Sequence, residues 1–148
     1  MNRAGSNIWD LAGRLIAYEA RRKKSSVKGF PPAFLAVERL RPHLTTLMGN
    51  AGFRALLSRA LTLASVKVRW LRQVDVKADG SMAGVGALEQ VAPGEITRGG
   101  VVLVVELLGL LVAFIGENLT LQMVGEVWPK LSLRDLDFYE GDENEKRK

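Results

Sequence analysis

The sequence predicts an all-α fold: a single-domain bundle of about four main helices, with one long apolar C-terminal helix and a short irregular insert over residues 73–93. Three observations carry that prediction. Apolar residues recur at steps of three and four through most of the chain, the period of a helix face. Prolines stand where helices open, at Pro31-Pro32 and Pro93, and Gly49-Asn50 stands where one helix should end and another begin. The run VVLVVELLGLLVAFI from Val101 to Ile115 is broken only by Glu106 and Gly109, and so long an apolar segment must be hidden from water.

The first helix is expected from Ser6 or Asn7, either of which can cap it, to Arg22. Ile8, Leu11, Leu15 and Ile16 make its apolar stripe, and the cluster Arg21, Arg22, Lys23, Lys24 suits the negative end of the helix dipole. After the loop SSVKGF, Pro31-Pro32 open a second helix with the stripe Phe34, Val37, Leu40, Leu44, Leu47 and Met48. Pro42 lies inside that stripe; it removes a backbone donor and crowds the preceding turn, so a kink or break is expected near Arg41.

Gly49 can take the left-handed, helix-ending conformation and Asn50 can cap the next helix, so two helices should meet there in a hairpin. The third helix, from about Ala51 to Arg72, stacks Phe53, Leu56, Leu57, Ala60, Leu61, Ala64, Val68 and Leu71 on one side. It leaves Arg54, Arg59, Lys67, Arg69 and Arg72 elsewhere, which predicts a strongly positive outer surface.

The insert, VDVKADGSMAGVGALEQVAPGE, has a turn signal at Asp79-Gly80-Ser81, a short extended piece at Val74 to Ala78, and room for one or two helical turns between Ala83 and Val91. A calcium loop does not fit, because Lys77 occupies a ligand position and Gly86 stands where the bidentate glutamate is required. Pro93 opens the fourth helix, expected to run to Trp128 before Pro129 stops it, a length of about 50 Å. Gly99-Gly100 could break it near its start. Residues 1–140 make the bundle domain, with Leu131, Leu133, Leu136 and Phe138 able to dock, and the charged residues 141–148 are expected to be disordered.

Composition narrows the function classes. A chain of 148 residues, 47% hydrophobic and 25% charged, supports one domain with a real core. It has no cysteine, so thiolate metal sites, disulfides and cysteine nucleophiles are excluded. Residues 1–78 hold 15 Lys/Arg against 4 Asp/Glu, a net +11, and residues 79–148 hold 6 against 12, a net −6, which together give the formal +5. The halves can neutralise one another, or the basic half can meet an anionic partner. The N-terminal segment carries Asp10, Arg14 and Glu19 among its apolar positions, unlike a secretory signal, so a cytoplasmic location is expected.

No motif for chemistry emerges. The serines lack a nucleophile elbow, GEITRGG at Gly94–Gly100 lacks the lysine of a phosphate loop, and the single histidine, His43, cannot build a carboxylate-bridged iron site. Glu106 and Glu117 are eleven residues apart on the expected helix, about 16 Å, too far for a carboxylate pair. The chain is therefore expected to be no enzyme and to need no cofactor or metal.

On the fourth helix, Glu106, Gly109, Ala113, Gly116 and Glu117 fall on one stripe of small residues and carboxylates. Helix-interior glycines are unfavourable, so Gly109 and Gly116 imply close passage of another helix, from this chain or from a partner. Glu106 is expected to pair with an arginine of the third or first helix. Together these features predict a non-enzymatic protein–protein interaction module, an adaptor or regulatory subunit, partnered by another protein or by a second copy. One alternative is a nucleic-acid-binding protein using the basic helix 51–72 through Arg54, Arg59, Lys67, Arg69 and Arg72. Another is membrane insertion of residues 99–116, which would place Glu106 near mid-bilayer at a cost of a few kcal/mol.

Overall fold

The structure, a computed structural model, describes residues 3–22, 31–84 and 90–131, with side chains from Asn7 onward. The expected docking of residues 132–140 and disorder of 141–148 lie outside the described residues. In chain order come α1 (Arg3–Arg22), α2 (Pro32–Lys67), a 3₁₀ turn (Arg69–Gln73), β1 (Asp75–Val76), β2 (Met82–Ala83), α3 (Pro93–Ile115) and α4 (Glu117–Val127). The fold is all-α, with one tiny antiparallel hairpin pairing Asp75 with Ala83 and Val76 with Met82.

α2 is the central element and packs against α1, α3 and α4. Its apolar stripe is buried as its spacing demands, from Phe34, Val37, Leu40 and Leu44 through Phe53, Leu57, Ala60, Leu61 and Ala64. Leu47 departs from the expected stripe and stands 52% exposed. The helix also runs through Pro42 without breaking, since buried Leu40 and Leu44 on either side anchor it and offset the missing backbone hydrogen bond.

The bend lies at Gly49, whose φ of 80° and ψ of 164° are accessible in practice only to glycine. This is not the left-handed cap the sequence suggests, and the two limbs join directly as one kinked helix instead of through a hairpin loop. The β-hairpin braces that kink from outside: Arg41 Nη1 donates to the Asp79 carbonyl at 2.8 Å, and Asn50 Nδ2 donates to the Ala78 carbonyl at 3.2 Å. One donor precedes the bend and the other follows it.

The third helical segment ends earlier than expected. Val68 is extended, with φ −129° and ψ 103°, and Arg69 and Arg72 belong to the following 3₁₀ turn, which buries Trp70 and Leu71. α1 in turn begins at Arg3, before either expected cap.

The long C-terminal helix is two helices. At Gly116, φ 93° and ψ 162° end α3 and start α4 on the same residue. The Gly116 N–H donates to the Val112 carbonyl at 2.9 Å, and its own carbonyl accepts from Thr120 N and Oγ1. α4 then packs back on α2, burying Thr120, Met123 and Val124 and delivering Trp128 to the core. There the indole Nε1 donates at 2.8 Å to Glu19 of α1, whose same oxygen accepts from Arg39 Nε of α2. A buried carboxylate is costly unless paired, and this one ties three helix regions together.

Candidate interaction surface

α3 is apolar on almost every side, yet the described chain covers only part of it. Leu103, Val104, Leu107, Leu108 and Leu111 are buried, while Val101, Val105, Gly109 and Val112 are half-buried and Ala113 and Phe114 are exposed. Only 44% of its most apolar stretch is buried, and among the described residues it is the one helix long and apolar enough to cross a membrane.

Close helix passage occurs, but at different glycines from those expected. A Cβ at Gly99 would lie 2.5 Å from the Trp70 ring, and one at Gly100 would lie 2.7 Å from Ala33 Cβ. These two glycines do not break the helix; they let α3 cross the start of α2 and the 3₁₀ turn. Trp70 Nε1 fixes the crossing by donating to the Glu95 carbonyl at 2.7 Å. By contrast, a Cβ at Gly109 or Gly116 would meet nothing within 4 Å. Gly109 therefore faces open space, and Gly116 is a helix break, so the crossing by a helix of this chain that the stripe implied is absent among the described residues.

Glu106 flanks the uncovered side and is paired, by a lysine instead of the expected arginine: Lys67 Nζ lies 2.9 Å from Glu106 Oε2. The pair joins the end of α2 to the middle of α3. Arg98 adds to this corner by donating to the Lys67 carbonyl at 3.2 Å. Glu106, Gly109 and Ala113 share one side of α3, whereas Glu117 lies beyond the break, half-buried, with Oε1 shielded from water and lacking a hydrogen-bond partner among the described residues.

Beyond the end of α3 an open groove of about 510 Å³ lies between α2 and α4, to which α3 contributes Ile115. Leu47, Ile115, Leu119 and Met123 supply its apolar wall, with Pro42, His43 and Glu126 also lining it. Phe114, 68% exposed, stands on the chain beside Ile115. Exposed large apolar side chains gathered around a groove mark a binding surface.

The chain matches no protein-family model, no curated protein and no solved structure. Its chemistry must therefore be read from its own residues.

The basic residues do not form one stripe. Arg54 and Arg59 are about 140° apart around α2, Lys67 is engaged by Glu106, and Arg69 and Arg72 sit on the 3₁₀ turn. Arg54 Nε is buried without a partner among the described residues. A second hollow, about 280 Å³, is lined by Ser58, Thr62, Ser65, Arg72 and Asp75. The Thr62 and Ser65 hydroxyls donate to carbonyls of their own helix, at 3.0 and 2.9 Å. Among the described residues no three His, Asp or Glu side chains gather as a metal site.

Sequence reasoning missed Leu47, Phe114 and Leu119 as surface residues, since apolar spacing alone assigns them to a core. The available signal was Gly116: a glycine read as a helix break would have turned the flanking Phe114 and Leu119 toward a corner.

Proposed function

We propose that this chain is a non-enzymatic protein–protein interaction module of the cytoplasm, an adaptor or regulatory subunit that receives a helix of a partner protein, or of a second copy, along the uncovered side of α3 and into the groove at its end. The supporting observation is the mismatch between α3's composition and its burial: a helix apolar all round belongs in a core, and the described chain supplies only one side of that core. A groove floored by Leu119 and Met123 and flanked by exposed aliphatic residues suits the apolar anchors of an amphipathic helix.

Transfer of α3 into a bilayer is the poorer account of the same surface. It would separate Gly99 and Gly100 from Trp70 and Ala33, withdraw Leu103, Leu107 and Leu111 from the core and dissolve the Lys67–Glu106 pair. The test is molar mass by light scattering over a range of concentrations, alone and with co-purifying proteins, for the wild type and for Gly109→Leu and Glu106→Leu. Association that the Gly109→Leu chain loses supports the module. A monomer at every concentration, with no captured protein sensitive to either substitution, removes it.

A further inference from the structure

The groove between α2 and α4 opens beside the point where the described chain ends. Trp128 shares the Glu19 carboxylate with Arg39, and the residues ahead of it on α4 line the groove with residues beyond Arg39 on α2. α4 therefore runs antiparallel to the first limb of α2. Glu126 and Pro42 mark the near end of the groove, and Leu119 and Leu47 the far end, about 10 Å further along at 1.5 Å per residue. Past α4, the Leu131 N–H donates to the Trp128 carbonyl at 3.0 Å, a turn that takes the chain off the helix axis.

The sequence that follows suits that groove. Leu133, Leu136, Phe138 and Tyr139 bring large apolar groups close together, and Ser132-Leu133-Arg134-Asp135 has the spacing of a helix-capping box. The stretch from Ser132 to Phe138 spans about 10 Å as a helix and up to about 23 Å when extended, so either form reaches Leu47. Charge agrees with reach. Glu126 at the near end has no ion partner among the described residues, and Arg134 is the first charged residue after Lys130.

We propose that residues 132–139 occupy this groove in cis, and that a partner helix enters it by displacing them. The tether chooses the occupant. A segment joined to the groove by one turn meets it at an effective concentration on the order of millimolar, which a separate protein must match before it can compete. Docking also takes Leu133, Leu136 and Phe138 out of water against Leu47, Leu119 and Met123. The displacement step rests on the reading of the groove as a partner's seat, whereas docking in cis stands without it.

The chain has no cysteine, so a pair of introduced thiols reports proximity without background. Thr46 is exposed and lines the groove; Val66, 76% exposed on the second limb of α2, serves as the control position. In the full chain under mild oxidation, Thr46→Cys with Tyr139→Cys should close an intramolecular disulfide about tenfold or more faster than Val66→Cys with Tyr139→Cys. Adding Leu133→Asp and Leu136→Asp should bring the first pair down to the rate of the control, with unchanged helical circular dichroism. Equal rates for the two pairs, indifference to the aspartates, or disulfides formed only between chains would overturn docking in cis. Light scattering then separates the two readings. Complexes formed by the reduced chain and lost when the disulfide is closed support displacement, and complexes equal in both states refute it. Fast closure in a chain that forms no complex removes the partner reading and leaves the docked segment standing.

Discussion

Trp128 Nε1 donates at 2.8 Å to Glu19 Oε2 across 109 residues of sequence, closing the end of α4 onto α1. Arg39 shares the same carboxylate oxygen, so the three side chains form one polar unit inside an otherwise apolar region.

Because the unit is buried at Glu19, removing one member should strand the others. Arg39→Ala is expected to cost about 3 kcal/mol, at the lower end for a broken buried pair because Arg39 is itself 34% exposed. Trp128→Phe keeps most of the packing and loses the donor, for about 1 kcal/mol. Urea denaturation of both single variants and the double variant should show non-additive costs; strict additivity would mean the three groups do not act together.

The glycines should separate by their surroundings. Gly49→Ala and Gly116→Ala force a side chain into positive-φ backbone and should each cost about 1–3 kcal/mol. Gly109→Ala fills open space within a helix and should instead raise stability by up to about 1 kcal/mol. Thermal or urea midpoints for the three variants, measured in parallel, check the order.

Gly99→Ala should be costly for a different reason, contact with the Trp70 ring, at about 1–3 kcal/mol. In a Trp70→Leu background the added methyl group has room, so its cost there should shrink. Equal costs in both backgrounds would show that the crossing does not depend on that contact.

Asp79 provides a pH handle. Hydrogen bonds from the Ser81 hydroxyl and backbone N–H, with help from Lys77 and Arg41, hold its carboxyl below the ordinary aspartate range. A lowered folded value means that its stabilising effect is present above the ordinary aspartate value and fades as pH falls through the depressed one. Carbon-detected titration should give a low Asp79 midpoint, and Ser81→Ala should raise it. The loop it orders braces the Gly49 bend, so acid should loosen that corner first.

Much of this fold was legible because burial follows period. Ile8, Leu11 and Leu15, or Phe53, Leu57 and Ala64, have no other way to leave water than on one side of a helix. What the letters left open were the points where a local cost is balanced by distant packing. Pro42 is tolerated because Leu40 and Leu44 are anchored, whereas Gly116 breaks the helix because α4 finds a place for Trp128 beside Glu19. Glycine spacing alone could not tell a crossing point such as Gly99 from an uncovered position such as Gly109. Of the interface stripe, Glu106, Gly109 and Ala113 do share a side of α3, while Gly116 and Glu117 are carried off by the break.

The central claim, that the uncovered side of α3 and its terminal groove receive another helix, is tested most directly by Phe114→Glu. Phe114 is 68% exposed, so the substitution should leave the unfolding midpoint nearly unchanged, within about 0.5 kcal/mol. Light scattering is expected to show a self-associated mass, or a complex with a protein captured by the wild type, that falls to the mass of the free chain in the Phe114→Glu variant. A complex of undiminished mass and affinity in the Phe114→Glu chain would contradict the account.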